Sequence, residues 1–310
     1  MNRFTILLLG TALALLSATE GLSRLGFDRI SKVQRRQLSQ RRTLLSTRDT
    51  PSTTTPHIAV LGNSLMLDGV KVPLLEEKLQ TAAAPVPYFV LATEYYDWLF
   101  GLKRLYAEGA RPRFVLLGLS PNQLASPRSH GDFSAQYLFE GSDLMEIARK
   151  THMDATTATG FFLSKVSKFY GTREITRSFI LNAVLPSVSR LFQAKLANVH
   201  PPEVPATTLR ALTAERLSAV NELCRANGSQ FVLVIPPTDQ KGSDTIAAVG
   251  RELGVPVLVP VADGLLDQSF YQTDGFHLNE MGAQIFTLEL ATELNHALTI
   301  TSPNDNSLQF

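Results

Sequence analysis

Five short apolar runs, each followed by helix-forming sequence, limit what this chain can become. They are HIAVLG (57–62), VPYFVLA (86–92), PRFVLLGLS (112–120), SQFVLVIPP (229–237) and VPVLVP (255–260). Each is continuously apolar instead of alternating, as expected of strands buried on both faces. Between them lie helical stretches. Val72–Ala82 places Leu74, Leu75 and Leu79 on one face. Tyr95–Gly109 ends on a C-cap glycine, and Thr207–Gly228 starts on a capping threonine. Ser243–Gly254 and Asn279–Leu298 complete the set. Strands alternating with helices predict an α/β fold, a parallel sheet of about five strands with helices on both faces. Residues 126–205 break this rhythm, with no convincing strand and helices expected near Leu144–Lys150, Thr156–Tyr170 and Ile175–Val199. They read as a helical insertion or cap.

Composition narrows the function classes. With 44% hydrophobic and 18% charged residues the chain is ordinary globular material, neither disordered nor fibrous. A net charge of +1 gives no global argument for nucleic acid. The single cysteine, Cys224, excludes an intrachain disulfide and a cysteine metal cluster. His57, His152, His200 and His296 have no metal-ligand spacing, and glycine-rich phosphate loops are absent, so neither metal nor cofactor is expected.

The N-terminus is less ordinary. Arg3 precedes an uncharged apolar run, Phe4–Thr19. Sixteen residues at 1.5 Å each give about 24 Å, short of the roughly 30 Å hydrocarbon core. That suits a signal peptide or a short uncleaved signal anchor over residues 1–19. Ala12–Ala14 offers a cleavage site, but the apolar run continues past it, which favours the anchor. A buried N-terminal helix is the alternative. Residues 20–56 read as a basic stalk and linker, with TPSTTTP (50–56) as the plain linker and the folded domain beginning at His57. The stalk carries Arg24, Arg29, Lys32, Arg35, Arg36, Arg41 and Arg42, a flank that the positive-inside rule would keep cytoplasmic. Those charges can instead bind anionic headgroups. The last residues, 300–310, read as a disordered tail.

Open α/β sheets bind ligands beyond the carboxyl ends of their strands. The first such end reads Gly62-Asn63-Ser64, and the loop before the last helix reads FYQTDGFHLNEMGA, with Asp274 and His277 three apart. Serine becomes a nucleophile when an imidazole takes its proton, and a carboxylate on the other ring nitrogen fixes the tautomer. Ser64, Asp274 and His277 therefore form a candidate triad. Taken alone, Ser64 reads equally well as a helix N-cap and Asn63 as a turn residue.

Together these blocks resemble the SGNH/GDSL hydrolase family. Gly62-Asn63-Ser64 is similar to its first block, and Asp274-Gly275-Phe276-His277 with the following Leu278–Ala283 to its last. The resemblance covers about residues 57–299, leaving the insertion unexplained. It implies a three-layer flavodoxin-like fold and ester chemistry. It also implies an oxyanion hole from the amide of Ser64, an amide near Ala92 and the side chain of Asn122. The family's two middle blocks are degraded here. Ala92-Thr93 stands where a glycine is usual, and Asn122 sits at longer spacing after Gly118. Asn63, Arg128 and His130 are candidate substrate contacts, the last two reading equally as an exposed loop. The aromatics of TEYYDWLF (93–100) read as sugar-stacking residues or as helix core.

The expectation is an esterase or O-acyltransferase working on an acylated envelope carbohydrate or lipid. The architecture also resembles membrane-tethered SGNH-like proteins of cell-envelope O-acylation. That implies a membrane-bound acyltransferase as partner and a domain outside the cytoplasm. The alternative is a catalytically weak binding or scaffold module of such a complex.

Overall fold

The computed structural model describes residues 2–46, 57–80, 83–185 and 203–300. The linker 50–56 and the tail 301–310 lie outside them, as does the end of the helix expected to reach Val199.

In chain order, two helices come first, α1 (Arg3–Ile30) and α2 (Lys32–Ser46). Then follow β1 (His57–Gly62), α3 (Ser64–Gly69), α4 (Val72–Lys78), β2 (Ala84–Phe89), α5 (Tyr95–Ala107), β3 (Phe114–Gly118) and α6 (Pro121–Ala125). The insertion supplies α7 (Asp132–Tyr137), α8 (Leu144–Lys150), α9 (Ala155–Val166), α10 (Lys168–Gly171) and α11 (Arg173–Val184). The chain then returns through α12 (Ala206–Ala226), β4 (Gln230–Val234), α13 (Ser243–Leu253), β5 (Val257–Leu258) and α14 (Glu280–Ile300).

The five strands form one sheet in the order β2-β1-β3-β4-β5, every pair parallel. This is the flavodoxin-like order, whose ligand crevice opens where β1 and β3 diverge. The period of 2 along each strand divides its apolar residues between two cores. Ala59, Leu61, Val115, Leu117, Phe231 and Leu233 face α5, α12 and the insertion. Ile58, Val60, Leu116, Val232 and Val234 face α3, α4 and α14 through Met66, Leu75, Phe286 and Leu290. The expected three layers are thus present, and among the described residues the insertion is helical without a strand.

Residues 32–46 correct the stalk reading. Helix α2 packs along β2, with Leu44 in the core and Gln40 Oε1 accepting the Phe89 amide at 3.1 Å. Arg41 pairs with Glu108. The domain therefore begins before His57. An amphipathic helix with one buried leucine among basic residues looks like a solvated stalk until a sheet edge is there to receive it.

Helix α1 is a 28-residue helix with no buried residue. Its length and composition suit a membrane anchor or signal sequence. Its apolar run is exposed from Phe4 to Ala18, so it is not a buried core helix.

Candidate active site

The β1 end is built by close approach. Gly62 and Gly118 are paired in register on β1 and β3, and Met66 of α3 lies across both. A Cβ on Gly118 would stand 2.1 Å from Met66 Sδ, and one on Gly62 2.4 Å from Met66 Cγ. Two glycines are therefore what allows α3 to start directly above the sheet edge.

Asn63, not Ser64, caps α3. Its Oδ1 accepts the Leu65 amide at 3.0 Å, and its Nδ2 donates to the Thr93 carbonyl at 3.0 Å. Asn63 is 1% exposed. Both ends of its amide are spent on the scaffold, lacing the loop after β1 to the loop after β2. This corrects its reading as a substrate contact. The capping role proposed for Ser64 is likewise taken by its neighbour. Ser64 is half-buried at the first helical turn, where its N–H has no carbonyl within the helix. Its hydroxyl has no hydrogen bond to any described residue.

At the other end of the fold, the loop before α14 closes on itself. Asp274 Oδ1 accepts the amides of Phe276 at 2.9 Å and His277 at 3.0 Å. Its Oδ2 meets His277 Nδ1 at 2.7 Å. Gly275, at φ +69°, makes the turn that a side chain would strain. Burial alone would raise the Asp274 pKa, but the imidazole and the two amides outweigh it and hold the carboxyl below its usual range. His277 Nε2 is buried and has no hydrogen-bond partner among the described residues.

Packing brings this loop beside α3. Leu278 and Phe286 lie against Gly69, Thr287 Oγ1 donates to the Gly69 carbonyl at 3.2 Å, and Lys71 pairs with Glu280. The structure thus joins Asp274 to His277 and sets their loop against the helix that carries Ser64. No hydrogen bond links Ser64 to His277.

Ala92 sits in the β2 loop at φ +56°, a left-handed conformation costly for any residue but glycine. It is exposed, next to the Thr93 carbonyl that Asn63 holds. Asn122 lies in the first turn of α6, where Ser120 is the N-cap. Its backbone amide donates to Gln240 Oε1 at 3.2 Å, and its half-buried side chain makes no hydrogen bond to a described residue.

Arg128 and His130 lie against the start of α5, Arg128 within electrostatic reach of Glu94. The His130 amide donates to both oxygens of Asp97 at 3.0 Å, and its ring tilts against Phe133 with centroids 5.7 Å apart. Burial holds its pKa below the ordinary value. Its neighbours belong to the insertion side of the sheet. Arg128 is exposed. Tyr95, Tyr96, Trp98 and Phe100 are core residues and offer no stacking surface to a sugar.

A buried polar knot here escaped the sequence reading. Glu94 accepts a hydrogen bond from Ser126, tying the β2 loop to the β3 loop. Burial raises its pKa, while Ser126, Arg128 and Arg216 pull it back. Asp97 is fully buried and takes the Glu94 amide at 2.8 Å, and burial pushes its pKa up to about 7. Arg216, 3% exposed, lies over the rings of Tyr95 and Tyr96 and donates to the carbonyls of Leu124 and Ser126. Glu94-x-x-Asp97 at a helix start was a visible capping signal. Nothing in sequence marks one arginine in α12 as buried.

Among the described residues no cluster of His, Cys, Asp and Glu could hold a metal ion. The chain matches no protein-family model and no curated protein.

Proposed function

We propose that the chain is an SGNH-like serine ester hydrolase or acyl-ester transferase, with Ser64 as nucleophile, His277 as base and Asp274 as its orienter. One observation carries this reading. The Asp274–His277 pair is closed at 2.7 Å, its Nε2 is buried without a partner, and the neighbouring helix begins with a serine released from capping. A turn and a cap explain the Asp274 bonds and Asn63, but neither needs a buried, unpaired imidazole nitrogen, which costs free energy.

The chemistry runs in two steps. Ser64 Oγ attacks the ester carbonyl while His277 Nε2 takes its proton. The imidazolium that forms faces Asp274, which stabilises it without accepting its proton. Negative charge develops on the carbonyl oxygen, where the Ser64 amide, the Ala92 amide and the Asn122 side chain are the candidate donors. One such donor contributes about 3–4 kcal/mol to the transition state. The intermediate collapses to acyl-Ser64, and the alcohol leaves with the proton from His277. Water then gives hydrolysis, or a sugar hydroxyl gives transfer. Catalytic hydrogen bonds often close only around substrate, and this reading requires Ser64 Oγ and His277 Nε2 to meet when substrate binds.

The second reading, a catalytically weak scaffold module, is favoured by the missing Ser64–His277 bond and by alanine at position 92. A fluorophosphonate probe separates the two. Labelling lost in Ser64→Ala and sharply reduced in His277→Ala supports the enzyme. An unlabelled wild-type protein that also fails to turn over a small aryl acetate supports the scaffold. We place the domain outside the cytoplasm, held by α1, acting on an acylated envelope carbohydrate or lipid beside a membrane acyltransferase. A reporter fused after residue 310 tests the side, and a cytoplasmic signal contradicts it.

A further inference from the structure

We propose that the insertion is a membrane-seating element: the exposed apolar face of α9–α11 rests in the lipid headgroup layer where α1 emerges. This rests on α1 being inserted in the bilayer. It does not depend on the ester chemistry.

Helix α1 is held to the insertion by charged side chains just past its apolar run. Glu20 is the first charged residue after the apolar run. Its carboxylate accepts Ser167 Oγ at 2.7 Å and the amides of Lys168 and Phe169 at 2.9 and 3.1 Å. One turn on, Arg24 Nη2 donates to the Val166 carbonyl at 2.9 Å. A turn further, Asp28 accepts the Tyr137 hydroxyl at 3.1 Å and pairs with Lys168. The α9–α10 junction is therefore bolted to α1 at the residue where hydrocarbon must give way to headgroups. From Glu20 to Leu25 the helix climbs about 8 Å. That is close to the thickness of one headgroup layer.

At that level apolar side chains stand uncovered beside Glu20 and Arg24. Val166 is 67% exposed and Leu22 and Leu25 about 70%, with Leu163 and Phe169 also open. Helix α11 continues the face. Leu181, Val184 and Leu185 share one stripe, and a groove of about 320 Å³ between Phe169 and Leu181 is flanked by Arg173 and Arg177. Apolar residues beside basic ones are the composition of an interfacial surface seated about 5–10 Å into the headgroup and acyl boundary. The run Phe4–Thr19 also falls about 6 Å short of the hydrocarbon core. The patch sits at the end of that shortfall and extends the apolar band sideways. A water-exposed face this apolar would be a liability for a protein held beside a membrane.

The test uses the full-length chain with Cys224→Ala as background, reconstituted in vesicles of phosphatidylcholine and phosphatidylglycerol. An environment-sensitive fluorophore is placed singly through Leu9→Cys, Val166→Cys, Val184→Cys or Glu252→Cys, and quenched by spin-labelled lipids of graded depth. The expected result is deep quenching at position 9, blue-shifted emission quenched by the shallow probe at 166 and 184, and water-like emission at 252. The double variant Val166→Glu/Val184→Glu, with the label moved to Leu163→Cys, is expected to lose the shallow quenching. Deep quenching at 9 with water-like emission at 166 and 184 overturns the proposal while leaving the anchor intact. Such a result would fit a face that another protein covers. An unquenched label at 9 removes the anchor and the proposal with it.

Discussion

Replacing Gly118 by alanine tests how the serine is positioned. The new Cβ would stand 2.1 Å from Met66 Sδ, 2.2 Å from Cγ and 2.9 Å from Cε. Met66 is fully buried between α3 and the sheet, so it has no open space to enter. Forcing a methyl group into such a core costs about 1–3 kcal/mol. The relief that Met66→Ala brings differs between the two glycines. At Gly118 all three close atoms lie beyond Met66 Cβ and vanish in Met66→Ala. At Gly62 the Met66 Cβ itself lies 2.7 Å away and remains. Met66→Ala alone should cost about 2–5 kcal/mol through lost burial and a cavity. Combined with Gly118→Ala it should cost at least about 1 kcal/mol less than the sum of the singles, because the methyl group fills the vacated space. Combined with Gly62→Ala the saving should be smaller. Urea unfolding followed by circular dichroism measures all six proteins, with midpoints compared at unchanged m. Strict additivity at Gly118, or equal rescue at both glycines, would refute the reasoning that Met66 fixes α3 against these two strand ends.

Other predictions concern the surroundings of the same edge. Asn63→Ala removes the α3 cap and leaves the Thr93 carbonyl unpaired, and should lower stability by about 1–3 kcal/mol in the same urea assay. Ala92→Gly relieves a left-handed alanine at φ +56° and should be neutral to stabilising by up to about 1 kcal/mol. Asp97 binds its proton more tightly folded, at about 7, than unfolded, at about 3.9. Its contribution is therefore full below about pH 4 and lost as pH rises towards 7. Asp97→Asn should flatten the fall in unfolding midpoint between pH 4 and 7, and an unchanged slope would contradict the buried carboxyl.

The fold was legible because its strands are buried on both faces and so read as unbroken apolar runs. HIAVLG gave β1 to the residue. VPVLVP shrank to Val257–Leu258, the two residues in register with Leu233 and Val234 of β4. Helix α2 was misread because its burial depends on an edge strand, β2, brought to it by tertiary structure. Asp274 and His277 were legible because their contact is local, three residues apart in one turn. Asn63 was read as a turn residue and as a candidate substrate contact. Its cap on α3 is local, but its tie to the Thr93 carbonyl reaches across 30 residues and is invisible in a tripeptide. Arg216 in the buried knot was missed for the same reason, since its contacts to the Leu124 and Ser126 carbonyls reach across 92 and 90 residues.

Central to the proposed chemistry is Ser64 as a nucleophile that His277 activates. Mass spectrometry of the peptide containing Ser64, after exposure of the full-length protein to a fluorophosphonate, measures this directly. The account predicts one adduct on Ser64, lost in Ser64→Ala and formed much more slowly in His277→Ala and Asp274→Asn. An adduct on another residue, or none on wild type while Ser64 is folded in place, would contradict it.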